Sequence, residues 1–369
     1  MNEPQQNRRR QYDLCERYDL LTRILEAAFP TGAVRVLDVG AGDADLARAF
    51  LPERFTISLA DTDAFGRPDI TLLQPGAPLP FADRSFDVVL AMDVLEHVPA
   101  AARPGLVGEL TRVADTAAVL SHPVASPAVV AAEEVLAAAY RTFFGEPSQF
   151  LAEHAHHGLP TTESTVTALA AAGLQSATFA SCPLVDWLPF TVLDVALLAQ
   201  FGPGAAKDGF NLAVNELAGH RRTEGDHYRV FVLGSRQPEV LTQVAAAVAA
   251  GERPRDASVD RGIAEIVSRS IVQLATSPLA DGLRKAVAAK EAHIGKLELL
   301  LHGLTADLHQ QRAHTDGSLA AKDEHIRKLE TLLQEQDARA RAVIAEVVTA
   351  KDEHIRKLEA LLQGRAVGK

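Results

Sequence analysis

"VRVLDVGAGDADLARAF" occupies Val34 to Phe50. Its first six residues are apolar apart from Arg35 and Asp38, which suits a strand buried on both faces. Gly40 and Gly42 follow at once. Glycines placed directly after a strand let a ligand approach the backbone closely. Asp38, Asp43 and Asp45 then surround those glycines with carboxylates.

A loop that cradles pyrophosphate needs the spacing G-x-G-x-x-G. Here the third position is Asp45. Asp43 and Asp45 would compete for the amides at the helix start and repel phosphate. An NAD-dependent oxidoreductase is therefore disfavoured. S-adenosylmethionine suits the same loop: it has a sulfonium, an ammonium and one carboxylate, and no phosphate. The plainer role for Asp43 and Asp45 is to stabilise a helix N-terminus through its dipole. Asp61 lies about twenty residues beyond the glycines, the spacing at which a carboxylate meets ribose hydroxyls. Asp63 is the nearby alternative.

The flanking segments alternate between strand and helix patterns. "FTISLAD", "DITLLQ", "SFDVVLAMD" and "AAVLSHP" read as the second to fifth strands, and "LQSATFASC" and "YRVFVLGSR" as two more. With helices between them, they predict an α/β fold with a doubly wound, mostly parallel, seven-stranded sheet.

Taken together, "VLDVGAGDADLA", "ISLAD" and "LPFADRSFDVVLAMDVLEHV" resemble the class I S-adenosylmethionine-dependent methyltransferases, in the branch with LPF, SFDVV and LEH around the fourth strand. The resemblance covers about residues 30 to 125 well and extends weakly to about 236. It implies a Rossmann-like methyltransferase fold. It also implies that Asp38, Gly40 and Gly42 line the methionine part of the cofactor, that Asp61 binds the ribose, and that Met92 and Asp93 flank the sulfonium. Two positions depart from the family pattern. Ala44 replaces a third glycine, and Pro75 replaces an acid that contacts adenine, which leaves the adenine to the backbone of Gly76 and Ala77.

In such sheets the ligand sits beyond the carboxyl ends of the strands. Asp93, Glu96 and His97 after the fourth strand, and Ser121 and His122 after the fifth, should face the methyl acceptor. Methyl transfer to oxygen needs alignment and a base, and histidine suits that work near neutral pH. His122 is the first candidate and His97 the second. The third comes from "EHAHHGLPTTES", a loop expected to reach over the acceptor with His154, His156 and His157, of which His157 is selected. The sequence offers these histidines no third metal ligand, so no metal site is assigned. The expected reaction is methylation, at oxygen, of a small molecule or of a cell-surface glycan or lipid intermediate. The competing reading is an assembly protein with a degenerate cofactor domain.

The 369 residues carry a net charge of -11, which argues against a general nucleic-acid partner. Cys15 and Cys182 are far apart and in no CxxC pair, so reduced thiols and a cytoplasmic location are expected. The arginine-rich start lacks a signal-like apolar run, and no stretch reads as membrane-spanning. The apolar "WLPFTVLDVALLAQF" leaves peripheral membrane contact open as a partner mode, and Arg221 and Arg222 could meet an anionic group on the acceptor.

Four regions are expected: a catalytic domain over 1–236, a helical linker over 237–284, a coiled coil over 285–363 and a disordered tail over 364–369. The coiled coil rests on three related segments, "KEAHIGKLELLL", "KDEHIRKLETLL" and "KDEHIRKLEALL", starting at Lys290, Lys322 and Lys351. Ile294, Leu297, Leu301, Leu304 and Leu308 step by three and four, as do Ile326, Leu329 and Leu333, and Ile355, Leu358 and Leu362. Such a seam predicts a homo-oligomer. The intervals of 32 and 29 residues are not multiples of seven, so the heptad register must shift along the tail.

Overall fold

The computed structural model describes residues 7–219, 224–276, 294–303 and 319–366. The chain divides into two compact units, Met1–Leu274 and Ala275–Lys369.

The first unit opens with helix α1 (Tyr12–Ala28), followed by β1 (Val34–Val39), the short α2 (Leu46–Phe50), β2 (Phe55–Asp61), β3 (Ile70–Leu72) and β4 (Phe86–Met92). Two 3₁₀ turns, Leu95–His97 and Ala100–Ala102, lead into α3 (Arg103–Val113) and β5 (Ala114–Pro123). Then come α4 (Pro127–Phe144), α5 (Gln149–His157), α6 (Thr162–Ala171), β6 (Gln175–Pro183), α7 (Leu184–Phe201), α8 (Ala205–Ala218), β7 (His227–Ser235), α9 (Pro238–Gly251) and α10 (Ala257–Ala275).

All seven strands read from the sequence form one sheet, in the order β3-β2-β1-β4-β5-β7-β6. The pairs β1–β2, β1–β4, β2–β3 and β4–β5 are parallel. Strand β7 runs antiparallel between β5 and β6, so the sheet is mixed. Alternate residues serve the two faces. Val36, Ile57, Leu59, Val88, Leu90, Val119 and Phe231 pack under α1 and α9. Leu37, Val39, Val89, Ala91, Leu120 and Val232 pack with Val107, Leu110 and Leu169 of α3 and α6. Each fully buried Val or Leu contributes about 1.5–3 kcal/mol. Burial on both faces explains why these strands read as nearly continuous apolar runs.

One expectation about the chain's organisation is corrected. Residues 238–251 are not linker: Val240, Leu241, Val244 and Val248 of α9 belong to the sheet core. Helix α10 adds Val259 and Ile263 to a third cluster with Tyr12, Phe190 and Phe210. The apolar helix α7 is long and apolar enough to cross a membrane, yet it is built into the fold. Its Trp187, Phe190, Val195 and Leu197 are buried. Its buried Asp194 meets Lys207 Nζ at 3.0 Å and accepts from Asn211 at 2.7 Å and Gln11 at 2.6 Å.

In the second unit, residues 294–303 are helical and α11 runs over Leu319–Ala366. The helix thus continues past 363, into the segment expected to be disordered. Gly295, Leu299 and Leu333 line one cleft, so the two helical pieces lie side by side there. Leu332, Val343, Ile344, Val347 and Val348 remain exposed along α11. Leu304, Leu308, Arg221 and Arg222 lie outside the described residues.

Candidate functional site

The site is built at the carboxyl edge of the sheet. The chain leaves β1 through Gly40 and Gly42, both with left-handed backbones (φ 75° and 65°). A Cβ on Gly40 would lie 2.4 Å from Cγ2 of Val94, so the approach of the β1 loop to the β4 loop requires glycine there. The Gly40 amide donates to the Ala60 carbonyl at 2.9 Å, which pins the turn to β2.

Asp38 sits just beneath this turn, 2% exposed, and its Oδ1 has no hydrogen-bond partner. Burial, with Asp45 and Asp61 nearby, pushes its carboxyl up to about 7. A buried anion left short of partners at a glycine turn is what a cationic ligand would satisfy. Asp61 ends β2. Its Oδ2 accepts the Gly42 amide at 2.9 Å and its Oδ1 the Asp63 amide at 3.2 Å. A carboxylate offers about four acceptor sites, so Asp61 keeps capacity for hydroxyls. The residues present therefore fit the expected nucleoside. Asp63 caps its own turn instead, accepting from the Phe65 amide at 2.8 Å. Gly76 and Ala77 are exposed in the turn after β3, with Gly76 at φ 77°.

Asp45 behaves differently from the expectation. Its Oδ2 meets Arg48 at 2.9 Å and Arg67 at 3.0 Å, and Asp69 completes the cluster at 2.7 and 2.8 Å from the same arginines. Its side chain makes no cap bond to the α2 amides. Asp45 is neutralised from outside and does not compete for the loop.

Asp93 is also redirected. It adopts a left-handed backbone (φ 58°) directly after Met92, which is itself buried. Its carboxylate is held by Arg229, with Nε to Oδ1 at 2.8 Å, by Arg17 Nη1 at 3.1 Å and by the Ser121 hydroxyl at 3.1 Å. Arg229 and Arg17 also hold Asp13 of α1. Burial alone would raise both carboxyls, but the two guanidinium groups outweigh it and hold them below the usual carboxylate range. Asp93 is thus part of a buried Arg–Asp lattice that ties α1 to β4 and β7, not a free carboxylate beside the cofactor. Asp13, Arg17 and Arg229 were missed in the sequence. The signals were an arginine inside the apolar run of β7 and an Asp–Arg pair four residues apart on α1.

The three candidate bases separate. His122 is fully buried, with Nδ1 2.8 Å from the Pro123 carbonyl oxygen and Nε2 2.9 Å from the Thr165 hydroxyl. Burial lowers its imidazole to about 4. Both ring nitrogens are committed, so His122 fastens β5 to α6 and has none left for an acceptor. His157 lies on the last turn of α5, edge-on to His156. The histidines of the segment expected as a loop therefore lie on a helix, which ends at His157.

His97 lies in the 3₁₀ turn after β4, partly exposed, with Nδ1 2.8 Å from Oε2 of Glu153. Burial and the neighbouring His154 lower its imidazole below the usual histidine range, against the pull of Glu153. The His97 and His154 rings are 4.9 Å apart, and His154 Nδ1 lies 2.9 Å from Oε1 of buried Glu133. Glu96 beside them is fully buried, and burial and Asp93 push its carboxyl well up.

No curated protein matches the sequence. Several solved structures resemble it at low identity. Magnesium protoporphyrin IX methyltransferase from Synechocystis PCC 6803, solved with bound SAH, is 14% identical over 60% of this chain and 82% of its own, with a TM-score of 0.34. A SAM-dependent methyltransferase from Aquifex aeolicus is 14% identical over 44% and 82%, with a TM-score of 0.30. The YcgJ protein from Bacillus subtilis is 15% identical over 59% and 97%, with a TM-score of 0.32. A family model described as a methyltransferase domain matches residues 6–175, from just before α1 to the start of β6. Over those residues the chain matches a methyltransferase domain.

Proposed function

We propose that this chain methylates an oxygen atom on a small molecule or on a glycan or lipid intermediate. The observation that supports this most directly is the buried carboxylate of Asp38, whose Oδ1 has no partner, beneath the Gly40–Gly42 turn. Asp38 and the glycine turn would hold the amino-acid end of the cofactor, Asp61 its ribose, and the Gly76 and Ala77 backbone its adenine. Met92 would lie against it with its buried side chain. When bound, the cofactor supplies a methyl group on a positively charged sulfur. The chain's own part is to align the acceptor with that group and exclude water. With His122 committed to Pro123 and Thr165, His97 and His157 are the candidates left to act on the acceptor oxygen. Exposed Val130, Val135, Phe144 and Phe150 on α4 and α5 favour an acceptor with an apolar part.

Asp61→Ala tests the cofactor reading. The variant loses charge-assisted hydrogen bonds to ligand hydroxyls, each worth about 1.5–3 kcal/mol. Titration calorimetry should show S-adenosylmethionine affinity falling roughly 10- to 100-fold. Unchanged affinity, or tight binding of NADH by the unaltered chain, would reject the assignment.

A second reading draws support from the tail: an assembly protein whose cofactor domain is degenerate at Pro75. The exposed apolar residues of α11 favour self-association through it. Truncation before residue 285 should lower the mass measured by light scattering and leave cofactor binding intact. An unchanged mass would remove the self-association, and absence of any cofactor binding by the full chain would favour the scaffold.

A further inference from the structure

We propose that Glu96, His97 and His154 form a binding site for one divalent first-row transition-metal ion, with zinc the best match to the donors. One ligand atom from each of the three lies within 4.8 Å of the others. They come from two elements that pack together, the 3₁₀ turn after β4 and helix α5. A shared ion would need them closer, since bonds of about 2.0–2.2 Å set ligand atoms roughly 3–4 Å apart. Side-chain rotation can supply that difference.

Three features distinguish this cluster from a chance grouping. Glu96 is fully buried, yet both its carboxylate oxygens lack a partner. Buried carboxylates without partners are costly, and a bound cation is one way to satisfy them. Each histidine also has its Nδ1 against a carboxylate, His97 on Glu153 and His154 on Glu133. That contact places the proton on Nδ1 and leaves the Nε2 lone pair as the donor, the arrangement typical of metal-bound histidines. The outer carboxylates are themselves held. Gln149 donates to Glu153 at 3.0 Å and the Tyr228 hydroxyl donates to Glu133 at 2.8 Å. The chain thus supplies the first ligands and the groups that orient them.

Two imidazoles and one carboxylate suit zinc and its neighbours better than calcium or magnesium, which prefer all-oxygen shells. Three protein ligands leave a coordination position open. The site begins four residues after β4 ends, at the sheet edge that carries the cofactor turn. If the methyltransferase reading holds, the open position would take an oxygen of a hydroxyl-bearing acceptor, and His97 would act as a ligand, not as a base.

The test uses the untagged full chain, stripped with a chelator. Zinc titration calorimetry and the absorption spectrum of added Co²⁺ are measured on the unaltered protein and on Glu96→Gln, His97→Asn and His154→Asn. One ion per chain is expected, with affinity at least 100-fold weaker in each variant. Glu153→Gln changes a partly exposed residue, so it tests the site without threatening the fold. It should weaken binding about 10-fold by freeing the His97 ring. No uptake, or uptake unchanged by all four substitutions, would overturn the proposal. Cofactor titration on the same samples keeps the two ideas separate: zinc binding without S-adenosylmethionine binding would retain this site and reject the methyltransferase reading.

Discussion

Arg229→Met is expected to destabilise the first unit by about 3–5 kcal/mol, the usual result of removing one partner from a buried ion pair. Arg229 is 1% exposed and sits between Asp13 and Asp93. Methionine would fill much of the volume but leave two partly buried carboxylates with Arg17, at 3.1 Å from each, as the remaining cation. The contacts at stake join α1, β4 and β7, so their loss loosens the helix that covers one face of the sheet. Urea unfolding should show a lower midpoint at unchanged slope, and the melting temperature should fall on the order of 10 °C. An unaltered midpoint would mean that the lattice adds nothing to stability. The pH dependence provides a second check. Asp13 and Asp93 have folded values below the unfolded value near 4. Their contribution is full above that value and is lost as pH falls through the lower folded values. Arg229→Met should therefore show a weaker loss of stability on acidification below pH 4 than the unaltered protein.

Asp38→Asn is expected to act in the opposite direction on stability and to abolish cofactor binding. The folded Asp38 carboxyl is pushed up to about 7 from an ordinary value near 4, chiefly by burial. A raised folded value means the native state holds a proton that the unfolded chain has released. Its contribution is fully present below the unfolded value and is lost as pH rises through about 7. At pH 8 the ligand-free protein carries a cost on the order of 4 kcal/mol from this one residue. Asparagine removes that cost and keeps the shape. Ligand-free Asp38→Asn should therefore unfold at higher urea concentration than the unaltered protein at pH 8, with the difference vanishing near pH 4. Calorimetry should detect no S-adenosylmethionine binding. A variant that is no more stable at pH 8, or that binds the cofactor normally, would show that Asp38 is satisfied some other way.

The sequence alone determined the seven strands, the glycine turn, the acids that close β1 and β2, and the helical repeats of the tail. Each is a local matter. Period-two apolar patterning, glycine's freedom at positive φ, and three-and-four spacing are carried by neighbouring residues. The sequence also drew attention to Glu96, His97 and the EHAHH segment without linking them.

Tertiary structure decided what those groups do. His122, expected just beyond the fifth strand, lies within β5 and is tied up by Thr165, forty-three residues away. Asp45 is neutralised by Arg67, and Asp93 by Arg17 and Arg229, the latter 136 residues distant. Glu96, His97 and His154 meet only because α5 folds back over the turn after β4. A side chain's charge, protonation and free lone pairs depend on whatever lies within a few ångströms of it. Linear spacing does not reveal those neighbours when they arrive from the far side of the fold.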